Sequence, residues 1–171
     1  MSLSLNSAED FPGVFERYSQ MVYRLVLARV RNPADADDIT QDLFLKYVSH
    51  KKIYNDEEHR KAWLIRAAVN TSKTFVTSAW NRHRSADELP DTLGAGNPDI
   101  ENAEAKSTVL DAVMSLPVKY RTAIHLFYYE DMQTNQIAAV LGVPENTVKS
   151  HLRRARSLLQ TKLKGVDFDE V

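Results

Sequence analysis

The chain has 171 residues, 26% of them charged, with a formal net charge of −1 and no cysteine. Lack of cysteine excludes a disulfide framework and thiolate metal sites, and the length allows one domain or two small ones. No run approaches the roughly 20 apolar residues of a membrane span, and the opening MSLSLNSAED lacks the basic start and apolar run of a secretory signal. The expected setting is therefore the cytoplasm, without membrane insertion.

A first helix is predicted over Asp10–Arg31, where Phe11, Val14, Phe15, Tyr18, Val22, Leu25 and Val26 recur at helical spacing. Asn32-Pro33 ends it and opens a second helix to about His50: Asn32 suits an N-cap, Pro33 suits the first turn, and Asp35 complements the positive end of the helix dipole. Ile39, Leu43 and Tyr47 mark its core face. Phe44, Leu45 and Val48 lie away from that face, beside Asp38, Gln41 and Asp42, so this helix is either enclosed on two sides or has a second partner. The acids Asp35, Asp37, Asp38 and Asp42 lack the Gly turn and terminal Glu of a calcium loop, and no metal or other cofactor is expected.

Lys51–Asn55 reads as a loop, and Asn55 with Glu58 as a capping box opening a third helix to about Trp80. Trp63, Leu64, Ala67, Ala68, Thr71 and Phe75 form its apolar side, with Arg60, Lys61, Arg66 and Lys73 on the remainder. Pro90, Gly94, Gly96 and Pro98 then interrupt a stretch with neither helical nor strand periodicity, which reads as a flexible linker. Helices follow over Ala103–Ser115 and Pro117–Tyr129, with Leu110, Val113, Leu116, Ile124, Leu126, Phe127 and Tyr128 as candidate core.

The stretch Gln133–Arg156 contains two short helices around a Gly turn. Ile137, Val140 and Leu141 make an apolar stripe, Gly142 suits a left-handed C-terminal cap, and Pro144 begins the next helix. Val148, Leu152, Ala155 and Leu159 fall in one arc of that helix, leaving Asn146, Ser150, Arg153, Arg154 and Ser157 opposite, flanked by Thr147 and Lys149. Any amphipathic hairpin has a solvated charged face. Here, however, residues 145–164 hold six cations against Glu145 alone, a net of 6 − 1 = +5, and Asn and Arg pair with purine edges while Lys and Ser hold phosphates. This is a helix-turn-helix whose second helix is expected to enter the major groove.

The near-neutral total hides segregation. Residues 60–84 carry six cations and no acid, whereas residues 85–104 carry six acids and no cation. Two basic surfaces separated by an acidic strip imply two nucleic-acid contacts joined by a connector that DNA repels. Binding to free DNA should be weak at physiological salt, because few phosphates would be neutralised.

DADDITQDLFLKYV (Asp35–Val48), AWLIRAAVNTSKTF (Ala62–Phe75) and the Leu116–Leu126 segment leading into QIAAVLGVPENTVKSHLRRAR together resemble an extracytoplasmic-function sigma factor, the small class of bacterial RNA polymerase specificity subunit. The resemblance runs from about Phe11 to Leu163. It implies an all-α chain of two small helical domains: a three-helix region 2 over residues 9–84 and a four-helix region 4 over residues 105–165, joined by the flexible acidic linker 85–104. In this family the second helix docks on core RNA polymerase, which assigns Asp38, Gln41, Asp42 and Leu45. The third helix and the preceding loop hold the melted strand of the −10 element, which assigns Arg60, Lys61, Trp63, Asn70 and Lys73. For Trp63 both core packing and base stacking stay open, and Asn70 serves equally to satisfy a helix carbonyl. Region 4 would read the −35 element with Asn146, Thr147, Lys149, Ser150, Arg153 and Arg154.

The resemblance also implies an anti-sigma protein as partner, promoter DNA as ligand, a monomer when free, and association with the nucleoid within the holoenzyme. The alternatives are a dimeric helix-turn-helix regulator that binds an operator unaided, and a sigma mimic that titrates an anti-sigma protein. An enzyme is not expected: there is no phosphate-binding Gly loop or His-Glu-x-x-His site, and the histidines at 50, 59, 83, 125 and 151 are scattered.

Overall fold

Helix order follows the caps and breaks described above. A computed structural model of the chain describes residues 5–6, 10–50, 53–84 and 104–163, with side chains described for 10–50, 53–75 and 109–163. The chain divides into two compact units, Met1–Asp91 and Thr92–Val171. The acidic linker, apart from its last residue, lies outside the described residues.

In the first unit, α1 (Phe11–Val30), α2 (Pro33–Ser49) and α3 (Glu57–Arg84) pack on one another. Arg31 closes α1 in the left-handed region at φ 59°, its N–H donating to Leu27 O at 2.8 Å. Asn32 then caps α2, its Oδ1 accepting from Asp35 N–H at 3.1 Å. The spacing places Val14, Tyr18, Val22, Leu25 and Val26 inward, and all are buried with Ile39, Leu43 and Tyr47 of α2 and Leu64, Ile65, Ala68 and Val69 of α3.

Four details depart from the sequence reading. Phe44 is buried: it meets the rings of Phe11, Phe15 and Tyr47, so α2 is enclosed on a wider arc than its periodicity marks. The segment read as a loop carries β2 (Ile53–Tyr54), paired antiparallel with β1 (Leu5–Asn6); so short a ladder, distant in sequence, leaves no periodic signal. The cap of α3 is Asp56, not Asn55: its Oδ1 accepts from His59 N–H at 2.7 Å. Arg60, expected on the surface, is 1% exposed.

The second unit contains α4 (Glu104–Met114), α5 (Val118–Ile124), a π-helical turn (His125–Tyr129), α6 (Thr134–Leu141) and α7 (Glu145–Lys162). Leu116, Ile124, Leu126, Ile137 and Val140 are buried against Val148, Leu152, Ala155 and Leu159 of α7. Arg121 pins the α4–α5 turn, donating to Met114 O at 3.1 Å and Leu116 O at 2.5 Å. Leu110 and Tyr128, expected in the core, are 48% and 39% exposed. The π turn shifts the facing of 125–129 away from α-helical register.

Gly142 ends α6 at φ 68°, and a Cβ there would meet nothing within 4 Å. The whole penalty of Gly142→Ala is therefore backbone strain, about 1 kcal/mol. Thermal denaturation should show the second unit's midpoint lower by about 4–8 °C, and Gly142→Asn should lose less, since Asn tolerates this conformation. An unchanged midpoint for Gly142→Ala would show that the turn relaxes.

Candidate nucleic-acid interface

The buried strip of α7 decides which side chains face outward. With Val148, Leu152, Ala155 and Leu159 all at most 4% exposed, the opposite side is left to solvent. Asn146, Lys149, Arg153 and Arg154 are exposed there, with Thr147 and Ser150 half-buried at its edge. The structure thus brings all six predicted groove residues onto one outward face. The start of α7 is tied to α6: Thr134 Oγ1 donates to Glu145 Oε1 at 2.7 Å, and Lys149 Nζ lies 3.7 Å from the same carboxylate oxygen. At α6, Gln136 Oε1 reaches back to accept from Gln133 N–H at 2.9 Å.

Counting charge overstated this face. Arg156 donates through Nε to Tyr128 OH at 2.7 Å and lies 5.6 Å from the centroids of both Phe127 and Tyr128. Lys162 donates to Ser115 Oγ. Both cations therefore pack the second unit together. Sequence reading missed two basic neighbours of the face, Lys119 and His151. With Arg154 they border a polar hollow between α5 and α7, and no local pattern could have joined residues so far apart in the chain.

In the first unit Asp38, Gln41, Asp42 and Leu45 share one exposed face of α2, Leu45 being 66% exposed and Val48 beside it 39%. Leu45 and Val48 thus form a small apolar strip among the carboxylates of that face.

The five α3 candidates separate. Asn70 and Lys73 are exposed and Trp63 half-buried, and helical spacing puts them on one side. Trp63 leans on Tyr47 and Tyr54, with ring centroids 5.8 and 6.0 Å away, so its indole packs against the core while the residue stays half-buried. Lys61 is half-buried on the opposite side of the helix. Arg60 is enclosed: Nη1 donates to Glu57 Oε1 at 2.6 Å, and the guanidinium lies 5.6 Å from the Tyr54 ring centroid. Glu57 also accepts from Tyr18 OH at 2.7 Å and pairs with Arg17 at 3.0 Å, so Arg60 belongs to a structural network between α1 and α3 and is removed from the DNA-facing set. Burial pushes the Tyr54 phenol up to about 12 and lowers Arg29 to about 10; Arg29 Nε donates to Ser72 Oγ at 2.6 Å, a second polar tie from α1 to α3.

Comparison with known proteins places these two helical units in a family. The Sigma-70 region 2 family matches residues 14–82 and the Sigma-70, region 4 family matches residues 107–159. RNA polymerase sigma factor SigV of Bacillus subtilis is 32% identical over 152 residues, covering 88% of this chain and 89% of the relative. The ECF RNA polymerase sigma-E factor of Haemophilus influenzae is 29% identical over 159 residues, covering 86% and 84%. In fold, the chain is similar to the sigma factor RpoE solved in complex with the anti-sigma factor NepR from Bartonella quintana, at a TM-score of 0.69 and 21% identity, covering 93% of this chain and 99% of that one. Two matched regions in the family's order, and a relative of this identity along most of its length, mean that the chain belongs to the extracytoplasmic-function sigma factors of the sigma-70 family.

Proposed function

We propose that the chain is the promoter-specificity subunit of a bacterial RNA polymerase: it mounts on the core enzyme through α2, reads a −35 element with α7 and helps to hold the melted −10 strand along α3. The observation that carries this reading is the pairing of an outward basic helix, α7, with a separate unit whose α2 exposes Asp38, Gln41, Asp42 and Leu45. The domain limits are 9–84 and 105–165, with the acidic segment 85–104 as tether. Asn146, Thr147, Lys149, Ser150, Arg153 and Arg154 are assigned to the groove and to phosphates. Trp63, Asn70 and Lys73 are assigned to the single strand, where a cation serves the backbone and an aromatic face an unstacked base. Lys61, turned inward, is a weaker contributor.

In this reading the chain is a monomeric binding subunit, not an enzyme, and works in the cytoplasm with promoter DNA as its ligand. Among the described residues no helix is long and apolar enough to cross a membrane. An anti-sigma protein is the expected inhibitor, supported by the complex in which the structural relative RpoE was solved.

The test is association with core RNA polymerase. Leu45 is 66% exposed, so Leu45→Glu leaves the core of the unit untouched. Placed among acids in an interface centre, the charge should weaken core binding by roughly 30-fold or more, as measured by fluorescence anisotropy. Wild-type protein that never associates with core, yet grips an operator at nanomolar concentration, would identify a stand-alone helix-turn-helix regulator.

A further inference from the structure

Tyr120 is 8% exposed and forms the floor of the hollow between α5 and α7. His151 meets its ring edge-on, with centroids 5.5 Å apart at 73°, and Lys119 Nζ lies 5.0 Å from the same centroid. The buried ring thus aligns two nitrogen-bearing side chains from different helices. Arg154 completes the rim, and Asn146, Thr147 and Ser150 supply neutral donors from the first turns of α7. Among the described residues that line this hollow none carries a carboxylate. Donors gathered without an acidic partner make a receptor for an anion, and its position beside the groove-facing side of α7 selects which one.

We propose that the hollow binds one phosphate of the DNA backbone, held by Lys119, His151 and Arg154, and that His151 takes up a proton as the phosphate enters. The proposal rests on the promoter-reading function and adds a positioning contact to it. Such a contact fixes how far along the groove α7 sits without itself reading a base. The charged groups acting on the imidazole are Lys119 from α5 and Arg154 from its own helix. Burial, followed by these two cations, holds His151 below the ordinary histidine range, so the ring of the free protein is neutral near neutral pH. A bound phosphate offsets both cations and takes a stronger hydrogen bond from a charged ring than from a neutral one, raising the ring's affinity for the proton. The added affinity is complete below the free ring's pKa and is lost as pH rises through the bound ring's pKa.

The experiment uses holoenzyme assembled from the full chain and core polymerase, with a duplex selected by that holoenzyme from a randomised promoter pool and a scrambled duplex for comparison. Lys119→Gln should lower the slope of log affinity against log salt by about 0.9, the value of one phosphate contact, and by the same amount on selected and scrambled duplexes. His151→Gln should remove a roughly threefold gain in affinity between about pH 8 and pH 6. A single neutral methylphosphonate should reproduce the Lys119→Gln loss at one position only, and add nothing to it there. Selective binding with an unchanged salt slope and pH profile in both variants overturns the phosphate site while leaving the promoter reading intact. If wild-type holoenzyme shows no preference for the selected duplex, the promoter reading falls, and the proposal with it.

Discussion

Arg153→Ala combined with Arg154→Ala should lower promoter-directed initiation by roughly 70-fold to more than 1,000-fold, because the lost Arg153 base contact removes about 1–3 kcal/mol of discrimination and the lost Arg154 bond to phosphate about 1.5–3 kcal/mol. Both side chains are exposed, whereas the packing of α7 rests on Val148 and Ala155 at 0%, Leu152 at 2% and Leu159 at 4% exposure. The double variant should therefore melt like the parent and bind core polymerase like the parent. Run-off transcription on a library-selected promoter is the measurement, and initiation within twofold of the parent would remove α7 from groove reading. Arg156→Ala makes the contrast. Its guanidinium holds Tyr128 and covers Phe127, so its loss should appear in the melting curve and leave the preference among promoters unchanged.

The difference between those neighbours shows which parts of the molecule a sequence can reveal. Asn32-Pro33 and Gly142 act on their own stretch of chain: a side-chain cap, a missing N–H and a left-handed residue work at the place where they stand, so the helix ends were legible. The strip Val148, Leu152, Ala155 and Leu159 is equally local, because one helix's periodicity determines what it can bury. Arg156 enters the net charge of residues 145–164, but its structural role was not legible because its partner, Tyr128, comes from the π turn. Asp56 displaced Asn55 as the cap of α3 by one residue, within the usual uncertainty of a helix start. The β1–β2 pair and the hollow joining Lys119 to His151 each require residues far apart in the chain to meet, and no window along it displays them. The α2 face of Asp38, Gln41, Asp42 and Leu45 lies between these extremes. Spacing grouped the four residues, but only the fold showed that Phe44 turns inward while Leu45 stays out.

Arg60 gives the sharpest separation between a contact with DNA and a contact that builds the fold. Sequence reading counts it among six cations of residues 60–84, and a cation is ordinarily solvated. The helix nevertheless turns it inward, to 1% exposure, where Glu57 receives one of its N–H groups at 2.6 Å and the Tyr54 ring covers it. Truncation to Ala leaves a void in a small core and deprives Glu57 of its shortest partner. Glu57 is 42% exposed in its side chain, so water screens part of that loss, and the expected destabilisation is about 3 kcal/mol. For a unit of this size that is a large share of a total of roughly 5–15 kcal/mol, and chemical denaturation should show an early transition for the first unit. Arg60→Ala should thus impair core binding and strand opening together, in proportion to the unfolded fraction, and both should recover at lower temperature or with a stabilising change elsewhere in the unit. Lys73→Ala, on an exposed turn of the same helix, should leave the denaturation curve in place and reduce only the capture of single-stranded −10 DNA. An Arg60→Ala protein that remains fully folded and binds core normally, yet fails to hold the melted strand, would return Arg60 to the DNA-binding surface and require α3 to rotate when the promoter opens.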